Sequence, residues 1–152
     1  GKDNIRERTA AYPFELAYRL INMFSIKGDT ILDPFLGTGT TTVAAITSNR
    51  NSIGIDIDKS ILDHAMNNIS NVEISSINNH INKRIENHHQ FVKDRKKKYG
   101  DDALKYTNKH HGYLVMTKQE VDGNFDFVDK IIPNKMDYSV SVEYSDVNRF
   151  LI

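Results

Sequence analysis

The stretch that decides the fold is Ile31-Leu32-Asp33-Pro34-Phe35-Leu36-Gly37-Thr38-Gly39-Thr40-Thr41. Its apolar start, Thr30–Asp33, predicts a short buried strand. Gly37-Thr38-Gly39 predicts a tight turn, because glycine adopts backbone angles that other residues avoid. A helix is predicted from Thr40 to about Ser48. A glycine pair between a strand and a helix lets a ligand approach backbone amides at the helix N-terminus.

The residues that follow extend this pattern into a βαβ unit. Ser52 to Asp58 predicts a second strand, and a helix carrying Ile61, Ala65, Met66 and Ile69 comes next. Strand, glycine turn, helix and strand at this spacing imply two parallel strands and therefore an α/β fold.

An amphipathic helix is predicted upstream of the first strand. It begins at Pro13, because proline suits the first helical turn, and Gly28 is a left-handed stop after it. Its predicted apolar face consists of Leu16, Leu20, Ile21 and Phe24. The polar residues 1–11 are expected to form an extended lead-in.

The composition limits the chemistry that the chain can perform. The 152 residues include no cysteine, which excludes disulfides, thiolate metal sites and a cysteine nucleophile. Lys+Arg and Asp+Glu both number 20, so DNA would have to be contacted through local patches. No apolar run approaches the ~20 residues of a membrane helix. A soluble, cytoplasmic protein that contacts no membrane is the expectation.

The histidines and the basic run do not predict a site. The histidine spacing matches no familiar zinc pattern, so surface histidines are expected and no metal site is predicted. The histidines concerned are His80, His88, His89, His110 and His111. Lys93–Lys98 is interpreted as a solvated helix end in preference to a DNA contact.

Three classes of ligand compete for the glycine turn. A nucleoside triphosphate requires a lysine after the glycines, and none lies between Leu36 and Ser48. A dinucleotide is disfavoured because Thr42 replaces the third glycine and Asp33 repels a pyrophosphate. S-adenosylmethionine fits better, because its cationic sulfonium and amino groups favour a nearby acid. Asp56, 17 residues after Gly39, is placed to accept the ribose hydroxyls.

The motifs resemble those of the β class of DNA amino-methyltransferases. Asp33–Thr41 is similar to motif I of that class, Ala11–Ile21 to motif X and Ile53–Asp58 to motif II. The resemblance implies a Rossmann-like fold, S-adenosylmethionine as methyl donor, and adenine or cytosine in double-stranded DNA as acceptor, flipped from the duplex. It implies a site-specific enzyme of a restriction-modification system. The implied cofactor-binding residues are Tyr12, Pro13, Asp33, Pro34, Phe35, Gly37, Thr38, Gly39, Thr40, Asp56 and Ile57.

The sequence departs from that family in one respect. The family's catalytic loop is Asp/Asn/Ser-Pro-Pro-Tyr/Phe/Trp, and the prolines here are Pro13, Pro34 and Pro133, so no Pro-Pro pair occurs. The family places that loop upstream of motif X. We therefore expect a partial fold without the catalytic half, no catalytic residue in this chain, and no methyl transfer by the chain alone. An upstream half, a second chain or self-association is expected to complete the sheet.

The chain is predicted to have two parts. Residues 1–74 form the cofactor-binding core, and residues 75–152 form a helical linker and a small α+β extension, with strands at Tyr113–Met116 and Tyr138–Tyr144. Alternative functions are a non-catalytic S-adenosylmethionine-binding or assembly module and, less favoured, a fragment of a nicotinamide-dependent oxidoreductase.

Several of these site residues also have a plain structural interpretation. The glycines alone make a strand–helix turn, Asp33 caps that turn, and Asp56 is an acid at a strand end. A hydrophobic staple at a helix start explains Tyr12 and Pro13 without a ligand.

Overall fold

A parallel pair of strands carries the glycine turn in the computed structural model, which describes residues 12–147. Strand β1, Thr30–Asp33, pairs with β2, Asn51–Gly54, in a register that joins Thr30 to Asn51 and Asp33 to Gly54. Helix α2, Thr40–Thr47, connects the two strands. The predicted βαβ unit is therefore confirmed, and the fold is mixed α/β.

The second strand is shorter than predicted. It ends at Gly54 rather than Asp58. Ile55 still donates its backbone N–H to the carbonyl of Asp33 at 2.9 Å. Leu36 then donates its backbone N–H to the carbonyl of Ile55 at 2.8 Å, after which the chain enters the glycine turn and no strand is left for residues 56–58 to pair with. Asp56 therefore lies in the loop after the strand.

The strand β1 is only partly buried, which corrects the prediction of a buried strand. Its residues alternate between exposed and half-buried, and Leu32 is 60% exposed. This alternation is that of a sheet with one covered face. The covered face carries Ile31, which packs against the cluster that α1 and α2 form.

Helix α1, Phe14–Phe24, begins one residue after the predicted start at Pro13, and of its predicted apolar face only Ile21 is buried. Its buried residues are Ala17, Tyr18 and Ile21, which pack with Ala44 and Ala45 of α2. Ala17 of α1 and the two alanines of α2 are small, so the helices can pack closely at this face. Leu16, Leu20 and Phe24, predicted to be on the apolar face, are 50%, 47% and 79% exposed.

The next two helices lead into the C-terminal part. Helix α3, Lys59–Ser70, buries Ala65, Met66 and Ile69, three of the four apolar residues predicted for it. Helix α4, Ile74–Tyr99, buries Ile77, Ile81 and Ile85. The isoleucines recur every four residues and so form one stripe along the helix.

Short strands follow α4 in two antiparallel pairs. Strand β3, Tyr106–Thr107, pairs with β4, Leu114–Val115, and β5, Asp126–Asn134, pairs with β6, Ser139–Asp146. Two single turns of 3-10 helix, Asp101–Ala103 and Lys118–Glu120, flank the first pair. The predicted strands thus occur with shifted bounds.

Strand β5 was not predicted. A register shift between Val128 and Lys130 interrupts the alternation by which a strand is recognised. Pro133 also argues against a strand, because it cannot donate a ladder hydrogen bond. In the structure Pro133 pairs with Val140 near the hairpin turn.

One hydrophobic cluster joins the two parts of the sequence. The stripe of α4 packs against Ile46 of α2, Ile69 of α3, and Phe127, Val128 and Val147 of the C-terminal hairpin region. The division at residue 74 stays a prediction, and the predicted lead-in at residues 1–11 lies outside the described residues. Across residues 12–147, none of the helices combines the length and the apolar character needed to cross a membrane.

Candidate functional site

The glycine turn between β1 and α2 has left-handed backbone at both glycines. Gly37 has φ 53° and Gly39 has φ 84°. Gly39 is buried, and an added Cβ would lie 2.9 Å from Cδ1 of Ile69 in α3. Gly39 is therefore required by its backbone angle and by the packing of α3, before any ligand is considered.

Asp33, at the end of β1, is surrounded by donors from the chain itself. Its Oδ1 accepts the backbone N–H of Phe35 at 3.0 Å, and its Oδ2 accepts the hydroxyl of Thr41 at 2.5 Å. The hydroxyl of Tyr12 lies 3.5 Å from Oδ2 and also contacts the hydroxyl of Thr41. These bonds hold the turn in shape and bring Tyr12, distant in sequence, to the end of β1.

Asp56 accepts one hydrogen bond at each carboxylate oxygen. The backbone N–H of Gly37 donates to Oδ2 at 3.1 Å, and that of Asp58 donates to Oδ1 at 3.0 Å. A carboxylate oxygen can accept more than one bond. Asp56 is half-buried, so it joins the glycine turn to the end of β2 and retains capacity for further donors.

Two apolar side chains stand exposed beside these acids. Phe35 is 85% exposed and Ile57 is 103% exposed, whereas most large apolar residues of a folded chain are at least partly covered. Pro34 and Pro13 are also exposed. Because the carboxyl ends of parallel strands meet at one edge of a sheet, the predicted residues after β1 and β2 lie at the same edge.

The two predicted threonines lie on either side of Gly39. The hydroxyls of Thr38 and Thr40 are 3.4 Å apart, and the backbone carbonyl of Thr38 accepts the side-chain amide of Asn68 at 3.2 Å. Asn68 belongs to α3, so α3 supports the turn from the side. Thr40 begins α2.

Sequence reasoning missed Thr41, Asn68 and the role of Gly54. Thr41 lies one residue into α2, where its hydroxyl reaches back to the strand end, and the run of threonines was the available signal. Asn68 gave no local signal, because its partner is 30 residues away. A Cβ on Gly54 would lie 2.9 Å from Cγ of Leu36. The glycine in β2 therefore leaves the space that the Leu36 side chain occupies.

The histidines were predicted to lie on the surface, and three of the five do not. His80 is half-buried, with its ring edge-on to Phe14 and Tyr18 at 5.2 and 4.6 Å. His88 contacts the carbonyl of Leu114 at 2.8 Å, and His111 accepts the backbone N–H of Phe125 at 3.1 Å. These rings pack against neighbouring elements, which periodicity alone did not indicate.

Comparisons with known proteins agree on one family for the segment that carries this site. Residues 1–68 match a family model described as DNA methylase. The chain is 46% identical over 119 residues to the type II methyltransferase M.MthZI of Methanothermobacter thermautotrophicus, an alignment that covers 78% of this chain and 31% of that protein. It is 67% identical over 57 residues to the type II methyltransferase M.MjaI of Methanocaldococcus jannaschii, covering 38% of this chain and 19% of that protein.

A solved structure is also similar over part of the chain. It is a putative DNA modification methylase from Thermus thermophilus complexed with S-adenosyl-L-methionine, 45% identical, with a TM-score of 0.37 over 38% of this chain and 24% of that one. The present chain thus spans less than a third of the length of each of these proteins. The alignment with M.MthZI is longer than the 68 residues of the family match, so similarity continues into the C-terminal part.

Proposed function

We propose that the chain belongs to the DNA amino-methyltransferases, because residues 1–68 match a DNA methylase family model, and that it binds S-adenosylmethionine for methyl transfer to an exocyclic amino group of adenine or cytosine in DNA. We propose that it serves in a site-specific enzyme of a restriction-modification system. The observation that carries the proposal is the placement of Asp33 and Asp56 at the same edge of a parallel pair, joined through the glycine turn.

Asp56 is proposed to hold the ribose of the cofactor. Its carboxylate already accepts the backbone N–H groups of Gly37 and Asp58, so its position is set before a ligand arrives. Each oxygen keeps acceptor capacity, and a ribose diol supplies two adjacent hydroxyl donors. Phe35 and Ile57 are proposed as apolar walls for the adenine, since both side chains are otherwise exposed to water.

Asp33 is proposed to favour the cationic end of the cofactor. When bound, S-adenosylmethionine supplies the methyl group from a positively charged sulfonium. The carboxylate of Asp33 provides a negative charge at the end of β1, and Tyr12 is held beside it. The family resemblance adds Pro13, Pro34, Thr38 and Thr40 to the proposed cofactor-binding residues. Because Gly37 and Gly39 have no side chains, the cofactor can approach the backbone of the turn closely.

The parallel pair with its crossover helix supports a Rossmann-like arrangement that this chain holds only in part. The sequence contains no Asp/Ser-Pro-Pro-Tyr loop. We therefore propose that this chain contributes cofactor binding, and that an additional segment or second polypeptide supplies the groups that position the target base. Double-stranded DNA would then be bound by the complete enzyme.

Calorimetric titration of the chain with S-adenosylmethionine tests the proposal, with NAD as the competing ligand. The expected result is saturable binding of S-adenosylmethionine and none of NAD. Binding of NAD alone would favour an oxidoreductase fragment instead. A parallel assay of methyl transfer to duplex DNA is expected to give no product with the chain alone. Robust methylation would overturn the proposal that another segment or polypeptide supplies the groups that position the target base.

A further inference from the structure

A second concave site lies between α1 and α4. It encloses about 630 Å³, and its charged and polar wall includes Glu15, Arg19, His80, Lys83 and Arg84. The residues of α4 are spaced three or four apart around Lys83 and Arg84, so they share one side of the helix. The pocket is thus built from two rigid helices.

The charges in this pocket are not balanced. Glu15 is bound by Arg19 at 2.6 Å and lies 3.8 Å from His80. No carboxylate forms an ion pair with Lys83 or Arg84 anywhere in residues 12–147. The site therefore carries a local positive excess on a chain whose Lys+Arg and Asp+Glu counts are equal.

Arg84 is held in a defined orientation. Its Nη1 donates to the hydroxyl of Tyr18 at 2.8 Å, and Tyr18 is only 4% exposed. The guanidinium carbon lies 5.3 Å from the centre of the Tyr18 ring and 4.8 Å from that of Phe125. A guanidinium fixed between aromatic rings keeps further N–H donors for a planar or tetrahedral anion.

Lys83 complements this fixed group. It is exposed and adjacent to Arg84 in sequence, and its flexible ammonium can adjust to a ligand that the guanidinium orients. An arginine fork beside a lysine is suited to a phosphate, because the arginine binds two oxygens and the lysine adds a point charge.

We infer that this pocket binds a backbone phosphate of nucleic acid. The inference rests on the proposed DNA substrate and adds a contact that the glycine turn does not provide. It places a DNA-contacting surface on α1 and α4, lined by residues other than those assigned to the cofactor.

The test is the salt dependence of binding to a labelled DNA duplex, followed by fluorescence anisotropy between about 20 and 150 mM salt. Lys83→Gln removes one charge from an exposed side chain without an ion-pair partner in the described residues, so the fold is expected to persist. Each phosphate contact contributes ~0.9 to the slope of log affinity against log salt. Lys83→Gln is expected to reduce the slope by about that amount, whereas Lys83→Arg retains it.

Lys93→Gln is the matched control, because it changes the same residue type on an exposed position of the same helix. It is expected to leave the slope unchanged, and an equal reduction by both variants would overturn the inference in favour of a general charge effect. Arg84→Gln is a second variant, with circular dichroism to confirm folding, and is expected to reduce the slope by a similar amount. Inorganic phosphate, at concentrations too low to screen charge, is expected to compete with the duplex for the unmodified chain and not for Lys83→Gln. Equal competition against both would overturn the inference.

Calorimetry with S-adenosylmethionine separates this inference from the proposed function. Lys83→Gln is expected to bind the cofactor like the unmodified chain. A chain that binds cofactor but no duplex would overturn the phosphate site and leave cofactor binding standing. A chain that binds the duplex through Lys83 but no cofactor would support the phosphate site and overturn the proposed cofactor binding.

Discussion

The backbone N–H of Gly37 donates to the carboxylate of Asp56 at 3.1 Å. This bond joins the glycine turn after β1 to the loop after β2, so the two candidate halves of the cofactor site are not independent. Asp56 serves the fold at one lone pair of each carboxylate oxygen and is available to a ligand at the others.

Asp56→Ala is expected to weaken S-adenosylmethionine binding by about 1.5–3 kcal/mol, the scale of hydrogen bonds to a charged group. Calorimetry on the folded variant measures this. Asp58→Ala is the control, since Asp58 caps α3 through Ser60 N–H at 2.8 Å. Loss of that cap costs about 1 kcal/mol of stability and should leave affinity unchanged. Unaltered affinity in Asp56→Ala would remove Asp56 from the site.

Gly39→Ala is expected to destabilise the chain more than Gly28→Ala does. Both glycines have similar left-handed angles, with φ 84° and 86°, so the backbone strain is matched. A Cβ at Gly28 meets nothing within 4 Å, whereas at Gly39 it approaches Ile69 Cδ1 to 2.9 Å. Overpacking should add about 1–3 kcal/mol to the loss at Gly39, as measured by urea unfolding. Equal losses of unfolding free energy in the two variants would show that α3 shifts at this contact without cost.

Gly54→Ala and Leu36→Ala are expected to be coupled. The added Cβ at Gly54 would lie 2.9 Å from Leu36 Cγ and must displace that side chain. Gly54→Ala alone should cost about 1–3 kcal/mol of unfolding free energy. In a Leu36→Ala background most of that cost should vanish. A double-mutant cycle with additive free energies would contradict the contact.

Stability is expected to fall at high pH partly through Tyr144. Burial raises the pKa of Tyr144 to about 12, and the hydroxyl donates to the carbonyl of Ile46 at 2.9 Å. The neutral phenol is favoured in the folded chain, so this contribution is fully present below the ordinary pKa of about 10 and is lost as pH rises toward 12. Because the ring is only half-buried, the loss should be on the order of 1 kcal/mol.

Chemical unfolding at a series of alkaline pH values measures the effect of Tyr144. Tyr144→Phe should make the fall in stability shallower, whereas Tyr99→Phe, at a ring that is 58% exposed, should leave it as steep as before. The fall should not disappear, because burial also raises the pKa of Tyr113. An unchanged slope in Tyr144→Phe would refute the assignment.

The open side of β1 is expected to promote self-association. Across residues 12–147, β1 pairs with β2 alone, and Leu32 and Ile53 are 60% and 55% exposed. An unpaired strand edge beside an apolar face attracts another strand. Sedimentation equilibrium should show association that Leu32→Lys reduces. Ile26→Lys, at a site 73% exposed in a turn outside the sheet, should have little effect. A monomer at all concentrations would exclude this surface as an interface between copies.

The βαβ unit could be predicted from sequence because its signals are local. The apolar run ending at Asp33, the glycine pair and the helix from Thr40 follow one another directly along the chain, and the bounds of β1 agree with the prediction. The resemblance to the DNA amino-methyltransferases also rests on that string. The order of acid, glycines and second acid is set by covalent spacing, so the sequence alone predicts that Asp33 and Asp56 contribute to one ligand site.

Contacts between distant residues decided the rest. Ala17 and Tyr18, rather than Leu16 and Leu20, are buried where α1 packs against α2. The bulge in β5 hides its alternation, and Asn68 and the pocket at Arg84 acquire their surroundings only when helices pack. Local spacing determines which residues can share a turn or a helix face. Which helix and sheet faces pack together depends on the shapes and volumes of side chains from the whole folded chain. No single segment of the sequence contains that information.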